Sequence, residues 1–312
     1  MIKSNIIPRL TIGLPVYNGE KHIQKKLNNI LLQSFQDFEI IIYDSSNDTT
    51  PKICKNYQKQ DSRIQYIHEN KRSGWIQAFL NLMKEAKYEY FIIASVDDLW
   101  STNFLEDCVK ELDDHPSAVS SLGTIAIIEN QNIKKHETHN IWKKISEIFK
   151  QRLFRHSFQP SFESKGPFKE KARKILRNTW YRHINGVIRS SALPASVIKK
   201  EMILWDWAFI LNLAKLGDLH FAKNSQYYVT MGDTTSRQGI FMLFKSQNAQ
   251  LNEYFSPAST FTFWCIQKIG LTFFLTNIDY FIWLNFIHNV GILSGLYQKV
   301  YLFCANILKK VF

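Results

Sequence analysis

Asp97 and Asp98 stand side by side just after the apolar run Tyr90-Phe-Ile-Ile-Ala94, two carboxylates at the end of a hydrophobic segment. Oxygen ligands of this kind suit a hard divalent cation such as Mg2+ or Mn2+. Taken alone, the pair fits equally well an acidic turn capping the helix expected over residues 101–113. Asp206 opens another helical run, where a carboxylate either caps the helix, contributing about 1 kcal/mol, or does chemistry. Asp48 also precedes a helical stretch and is read as its N-cap.

Several other chemistries are excluded. No Gly-x-Gly-x-x-Gly follows the first strand and no Gly-x-x-x-x-Gly-Lys-Ser/Thr occurs, which argues against dinucleotide oxidoreductases and phosphate-loop ATPases. Cys54, Cys108, Cys265 and Cys304 are scattered, with no close pair for a zinc knuckle or a redox dithiol, and are expected to be reduced, packed thiols. With 45% hydrophobic and 14% aromatic residues, the chain is too apolar for a disordered segment and should fold as a globule.

The elements that would position these acids are legible from periodicity. Leu10–Leu14, Phe38–Tyr43, Ile64–Ile67 and Tyr90–Ala94 read as buried strands. Residues 20–34, 48–59 and 73–87 place apolar side chains at helical spacing between them. This alternation predicts an α/β fold, a mostly parallel open sheet flanked by helices. In such sheets ligands bind beyond the carboxyl ends of the strands, which selects Pro15–Asn18, Tyr43–Asp48, His68–Gly74 and Ser95–Asp98.

In order and spacing, residues 10–23, 31–50, 70–100 and 103–106 resemble the nucleotide-sugar-binding domain of family 2 glycosyltransferases, which have the GT-A fold. The resemblance implies that Pro15, Val16, Tyr17 and Asp44 hold the nucleotide of a donor, with a UDP-sugar favoured, and that Arg72 reaches toward it. It implies a divalent metal, Mg2+ or Mn2+, at Asp97 and Asp98, where the cation would offset charge on a departing diphosphate. Two positions depart from the usual pattern: Ser95 stands where an acid is common, and Tyr43 stands where the first of two adjacent acids would be.

Beyond residue 120 two islands still match, Asn185-Gly-Val-Ile-Arg-Ser-Ser-Ala-Leu193 and the stretch 204–221. The second resembles the family motif that carries the catalytic acid, which implies that Asp206 is the base, with flanking tryptophans that could wall a sugar site. Spacing independently predicts an amphipathic helix with Trp207, Ile210, Leu211, Ala214 and Lys215 on one face, ending at Gly217. Residues 232–238 resemble the family's polar loop, in which Arg237 would close over the diphosphate. The implied reaction is one inverting transfer to a hydroxyl of a glycan or lipid-linked acceptor. The Gln-x-x-Arg-Trp signature of processive synthases is absent, which favours adding a single sugar.

The expected organisation is a catalytic domain over 1–240, comprising a donor half 8–120, a basic insert 133–182 and an acceptor half 183–240, followed by a helical appendage over 241–312. The insert holds fourteen Lys or Arg against four Glu, most of the net charge of +12, and suits an anionic partner. Within it, residues 141–155 pattern either as a helix lying on an anionic membrane or as a domain-packing helix. Tyr280–Gln298 carries no formal charge, yet its Asn, His and Gly residues favour helices dipping into a membrane surface over a span, with packing against the catalytic domain as the alternative. Met1–Pro8 is short and polar, unlike a secretory signal, so the expected location is cytoplasmic and peripheral at the inner face of the plasma membrane. A nucleic-acid partner is not expected, since charge is its sole support. A catalytically weak, membrane-associated GT-A-like scaffold remains the alternative.

Overall fold

A computed structural model gives the fold and describes residues 7–70, 73–129, 163–178, 182–231, 251–286 and 289. The apolar runs form the first strands: β1 (Leu10–Val16), β2 (Phe38–Asp44), β3 (Ile64–His68) and β4 (Tyr90–Ile93). β4 is buried at all four residues, as befits a strand covered on both faces. The crossovers are α1 (Ile23–Leu31), α2 (Thr50–Gln60) and α3 (Trp75–Lys84), and they make β1 parallel to β2 and β4, and β2 parallel to β3.

The chain continues through β5 (Leu99–Trp100), α4 (Phe104–Asp114), β6 (Ala118–Glu129), α5 (Phe168–Arg177), β7 (Val187–Arg189), α6 (Leu193–Ser196), α7 (Trp205–Leu216) and β8 (Asp218–Met231). These complete an eight-stranded sheet in the order β3-β2-β1-β4-β7-β6-β8-β5. β7 is antiparallel to both β4 and β6, while β6 and β8 are parallel. β6 and β8 therefore run the same way as β1 to β4, and one edge of the sheet collects the carboxyl ends of all six. The expected mostly parallel α/β architecture is the observed one.

Helix α7 differs from its expected amphipathic form. Ala208, Phe209, Ile210, Leu211, Leu213 and Ala214 are all buried, which covers nearly every side of the helix, whereas Lys215 is exposed and Trp207 only part-buried. A helix enclosed by its surroundings needs no polar face. Gly217 follows it as expected, for a reason of space: a Cβ there would lie 2.5 Å from Val119 and 2.6 Å from the Ser117 carbonyl oxygen.

The chain divides into two compact units, one of residues 1–129, 159–199 and 206–231, the other of 130–158, 200–205 and 232–312. In the second unit, α8 (Ser259–Ile269) and α9 (Leu271–Thr276) precede helical residues 278–286. Phe261, Cys265, Phe273, Tyr280 and Leu284 are buried there, while Phe263, Leu271, Leu275 and Ile282 are exposed. Among the described residues no helix is long and apolar enough to cross a membrane. The segment 141–155 lies outside the described residues, as does most of the uncharged run beyond 286. Cys54, Cys108 and Cys265 are free, buried thiols, as expected; Cys304 is outside the described residues.

Candidate active site at the carboxyl edge of the sheet

The first two loops of the carboxyl edge are tied to each other. Asn18 turns through a left-handed conformation, φ 50°, which Asn tolerates better than most residues. Its N–H donates to Ser46 Oγ at 2.6 Å, the Gly19 N–H to Thr50 Oγ1 at 2.9 Å, and the Asn47 N–H to Asn18 Oδ1 at 3.1 Å. Thr49 rather than Asp48 holds the N-cap position of α2, but Asp48 Oδ1 still accepts the Thr50 N–H at 2.9 Å. Partial burial works against ionisation of Asp48, yet its bonds to Thr50 and Glu20 hold its pKa below the ordinary value.

The residues expected to hold a nucleotide separate by access. Tyr17 is exposed and Pro15 part-exposed, while Val16 and Asp44 are buried. The Asp44 carboxylate is engaged on both oxygens: Oδ1 accepts the Ser46 N–H at 2.9 Å, and Oδ2 accepts the Tyr66 hydroxyl at 2.7 Å with His68 Nδ1 at 3.3 Å. Tyr66 and His68 come from β3, across the parallel register that pairs Asp44 with His68. Arg72 and Arg237 lie outside the described residues.

The two acids after β4 also differ. Asp97 is part-exposed. Asp98 is 4% exposed and turned to β8, where Oδ2 accepts the Tyr227 hydroxyl at 2.7 Å and Oδ1 accepts the Thr230 N–H at 3.1 Å. Burial pushes the Asp98 carboxyl above its ordinary pKa, as does the charge of Asp97, against the bonds from Tyr227 and Thr230 and the charge of Arg182. The Asp98 carbonyl oxygen accepts from the fully buried Lys26, whose Nζ is 2.9 Å away and 3.6 Å from the centre of the Trp100 ring. Ser95 receives a hydrogen bond from Asn185 Nδ2 at 3.3 Å.

Asp206 is the second residue of α7 and lies two residues after Leu204, whose φ of 66° puts a bulky residue in the left-handed region. Burial raises the Asp206 pKa, opposed by the backbone N–H groups of Trp207 and Asp206 and by the charge of Arg182. Of the tryptophans flanking it, Trp205 is fully buried and does not offer a face to a sugar; Trp207 is part-exposed.

Sequence reasoning treated Arg182 as one charge among fourteen in the insert, yet it acts electrostatically on Asp98, Tyr227 and Asp206. Lys26, Tyr227 and Thr230 were also missed. No motif marks them, because they act through contacts between elements far apart in sequence.

The model of the family "Glycosyl transferase family 2" matches residues 11–185, more than half of the chain. The chain belongs to that family. The match contains the β1 turn, Asp44, Asp97, Asp98 and Arg182, whereas Asp206 of this family 2 member lies beyond it. Among curated relatives, glycosyltransferase GlyG of Streptococcus pneumoniae is 30% identical over 111 residues, 35% of this chain and 37% of that protein. The GalNAc(5)-diNAcBac-PP-undecaprenol beta-1,3-glucosyltransferase of Campylobacter jejuni is 28% identical over 160 residues, 51% of each chain. The family 2 member thus spans about a third to a half of these two relatives.

Solved structures agree in fold. Staphylococcus aureus TarS 1-349 in complex with UDP-GlcNAc superposes with a TM-score of 0.57 at 16% identity, over 91% of this chain and 81% of that one. The mannosyltransferase PcManGT of Pyrobaculum calidifontis, in complex with GDP-Man and Mn2+, gives 0.53 at 15% identity, over 95% and 89%. The fold of this family 2 member is GT-A.

Proposed function

We propose that the protein moves one sugar from a nucleotide-sugar donor, a UDP-sugar, to a hydroxyl of a glycan or lipid-linked acceptor, with inversion at the anomeric carbon. The observation that carries the reading is the division of labour between the paired acids. Asp98 is held to β8 through Tyr227 and Thr230, whereas Asp97 beside it is part-exposed in the loop at the carboxyl edge. The complexes of TarS with UDP-GlcNAc and of the mannosyltransferase with GDP-Man support the donor class. The name of the Campylobacter relative supports a lipid-linked acceptor.

The donor set fits Mg2+ or Mn2+, since Mg2+ is commonly bound by one or two carboxylates together with substrate phosphates and water. Asp97 would hold the ion directly and Asp98 would orient the loop. Bound there, the cation supplies positive charge against the diphosphate leaving group. Arg182, whose charge acts on Asp98 and Asp206, adds to the positive field. Asp206 takes the proton of the acceptor hydroxyl, that oxygen bonds to the anomeric carbon, and the bond to the nucleoside diphosphate breaks on the opposite face. The exposed side chains Leu271, Leu275 and Ile282 support peripheral attachment to a membrane at the cytoplasmic face. The absent Gln-x-x-Arg-Trp signature supports a single addition.

Ser95 and the enclosed Asp44 favour a second reading, a catalytically weak GT-A-like scaffold. The two readings separate in a scan of nucleotide sugars with Mn2+, followed by thermal shift and by transfer to acceptors. The enzyme reading expects Asp97→Ala to lose metal-dependent donor binding, and Asp206→Ala to keep binding while losing transfer. Absence of donor binding with every nucleotide sugar would overturn it.

A further inference from the structure

Away from the carboxyl edge, two imidazoles and a carboxylate converge where the end of α4 meets the start of β8. Glu111 lies in the last turn of α4, and His115, four residues on, is the C-cap residue that follows the helix. His220, the third residue of β8, turns its Nδ1 to within 2.8 Å of Glu111 Oε1. His115 Nδ1 lies 3.2 Å from the same oxygen and 3.0 Å from the Glu111 carbonyl oxygen. The two rings are 4.7 Å apart between centroids. One ligand atom from each residue falls within 4.8 Å of the others. A cation bonded at roughly 2.1 Å to each of three such atoms holds them about 3.4 Å apart, so small side-chain adjustments close the site.

Burial grades across the cluster, from His220 at 2% side-chain exposure through Glu111 at 24% to His115 at 44%. Nε2 of His220 is buried and has no hydrogen-bond partner among the described residues, so the ring is satisfied on one edge alone, the one turned to Glu111. The buried ring fixes one ligand position, and the part-exposed His115 gives a metal access from solvent. Mg2+ and Mn2+ prefer all-oxygen sets, whereas two imidazoles with one carboxylate select zinc-like ions.

We propose that Glu111, His115 and His220 form a site for a divalent transition-metal ion of the Zn2+ class, distinct from the site at Asp97. β8 runs in the same direction as β4, so its first residues lie at the edge of the sheet opposite Asp97. His220 pairs with Ser121 and Tyr227 with Ile125, four residues on along β6, so the two lie roughly 13 Å apart along the sheet, the extra residues of β8 forming a bulge. The ion would cross-link α4 to β8, the strand whose far half holds Asp98 through Tyr227 and Thr230. Its role is to fix the position of that strand.

The test uses the full chain, freed of metal with a chelator and titrated with Zn2+ while thermal unfolding is followed. Zn2+ at a hundredfold excess over Kd is expected to raise Tm by on the order of 5 °C, reversed by EDTA. Its part-exposed position makes His115→Ala the primary variant, since it removes the least buried of the three ligands, and Glu111→Gln is the second. Both should lose the shift, whereas Asp97→Ala should keep it. Co2+ in place of Zn2+ should give visible d–d bands without thiolate charge transfer. No shift in the wild type, an equal shift in His115→Ala and Glu111→Gln, or a thiolate band pointing to cysteine ligation would each overturn the site.

Discussion

The Tyr227 hydroxyl donates to Asp98 Oδ2 at 2.7 Å, a bond made inside the protein between residues 129 positions apart. It joins β8 to the loop after β4, and with the Thr230 N–H it leaves neither oxygen of Asp98 without a donor. Tyr227→Phe removes one donor and leaves a buried oxygen short of a partner, a loss of about 1–3 kcal/mol. Urea unfolding should show that destabilisation, and transfer should weaken as the Asp97 loop loses its anchor. A change below roughly 0.5 kcal/mol would mean that the bond does not matter to stability.

Lys26 lies under the same loop and is fully buried. Burial lowers its pKa below the ordinary lysine value, more than the charges of Asp98 and Asp97 raise it. In the window between the lowered and the ordinary value, the unfolded chain binds a proton that the folded chain does not. Stability therefore rises with pH across that window and loses this contribution as pH falls through the lowered value. Lys26→Met removes the titrating group, so metal-free wild type should gain stability relative to the variant as pH climbs toward the ordinary lysine range. Parallel pH profiles from chemical denaturation would refute the assignment.

The contrast between these residues and the expected ones shows what sequence could carry. β1 to β4 and α1 to α3 were legible because their apolar periodicity is local, and the position of Asp97 followed from strand order. Asp97 and Asp98 looked equivalent because adjacency in sequence does not tell which carboxylate a distant strand will claim. The bonds that Tyr66, His68 and the Ser46 N–H make to Asp44 were not legible either, since two of the three come from a strand paired across the sheet. Arg182 was hidden among the charges of the insert, and the burial of α7 depends on elements packed around it.

Ser95 offers a direct probe of the proposed metal shell. Asn185 Nδ2 already points at its hydroxyl, 3.3 Å away, so an aspartate there would have a donor ready. Ser95→Asp adds a second carboxylate near Asp97. Metal-dependent donor binding should tighten several-fold, equivalent to about 1 kcal/mol. Calorimetric titration of the donor with and without Mn2+ checks it; unchanged or weaker affinity would show that the serine is not a missing ligand.

Asp206 and Arg182 together predict a pH profile. A base must be ionised to take a proton, and burial raises the Asp206 pKa, so kcat/KM should fall with decreasing pH along a limb centred above about 3.9, the ordinary Asp value. Asp206→Asn should remove the limb and lower the rate by roughly 100- to 10,000-fold. Because the charge of Arg182 favours ionised Asp206, Arg182→Met should move the limb to higher pH while leaving the plateau chemistry to the same base. If Arg182 instead serves only to bind phosphate, the variant raises KM for the donor with the limb in place. A limb that shifts downward contradicts the sign of the interaction and separates Arg182 from the base.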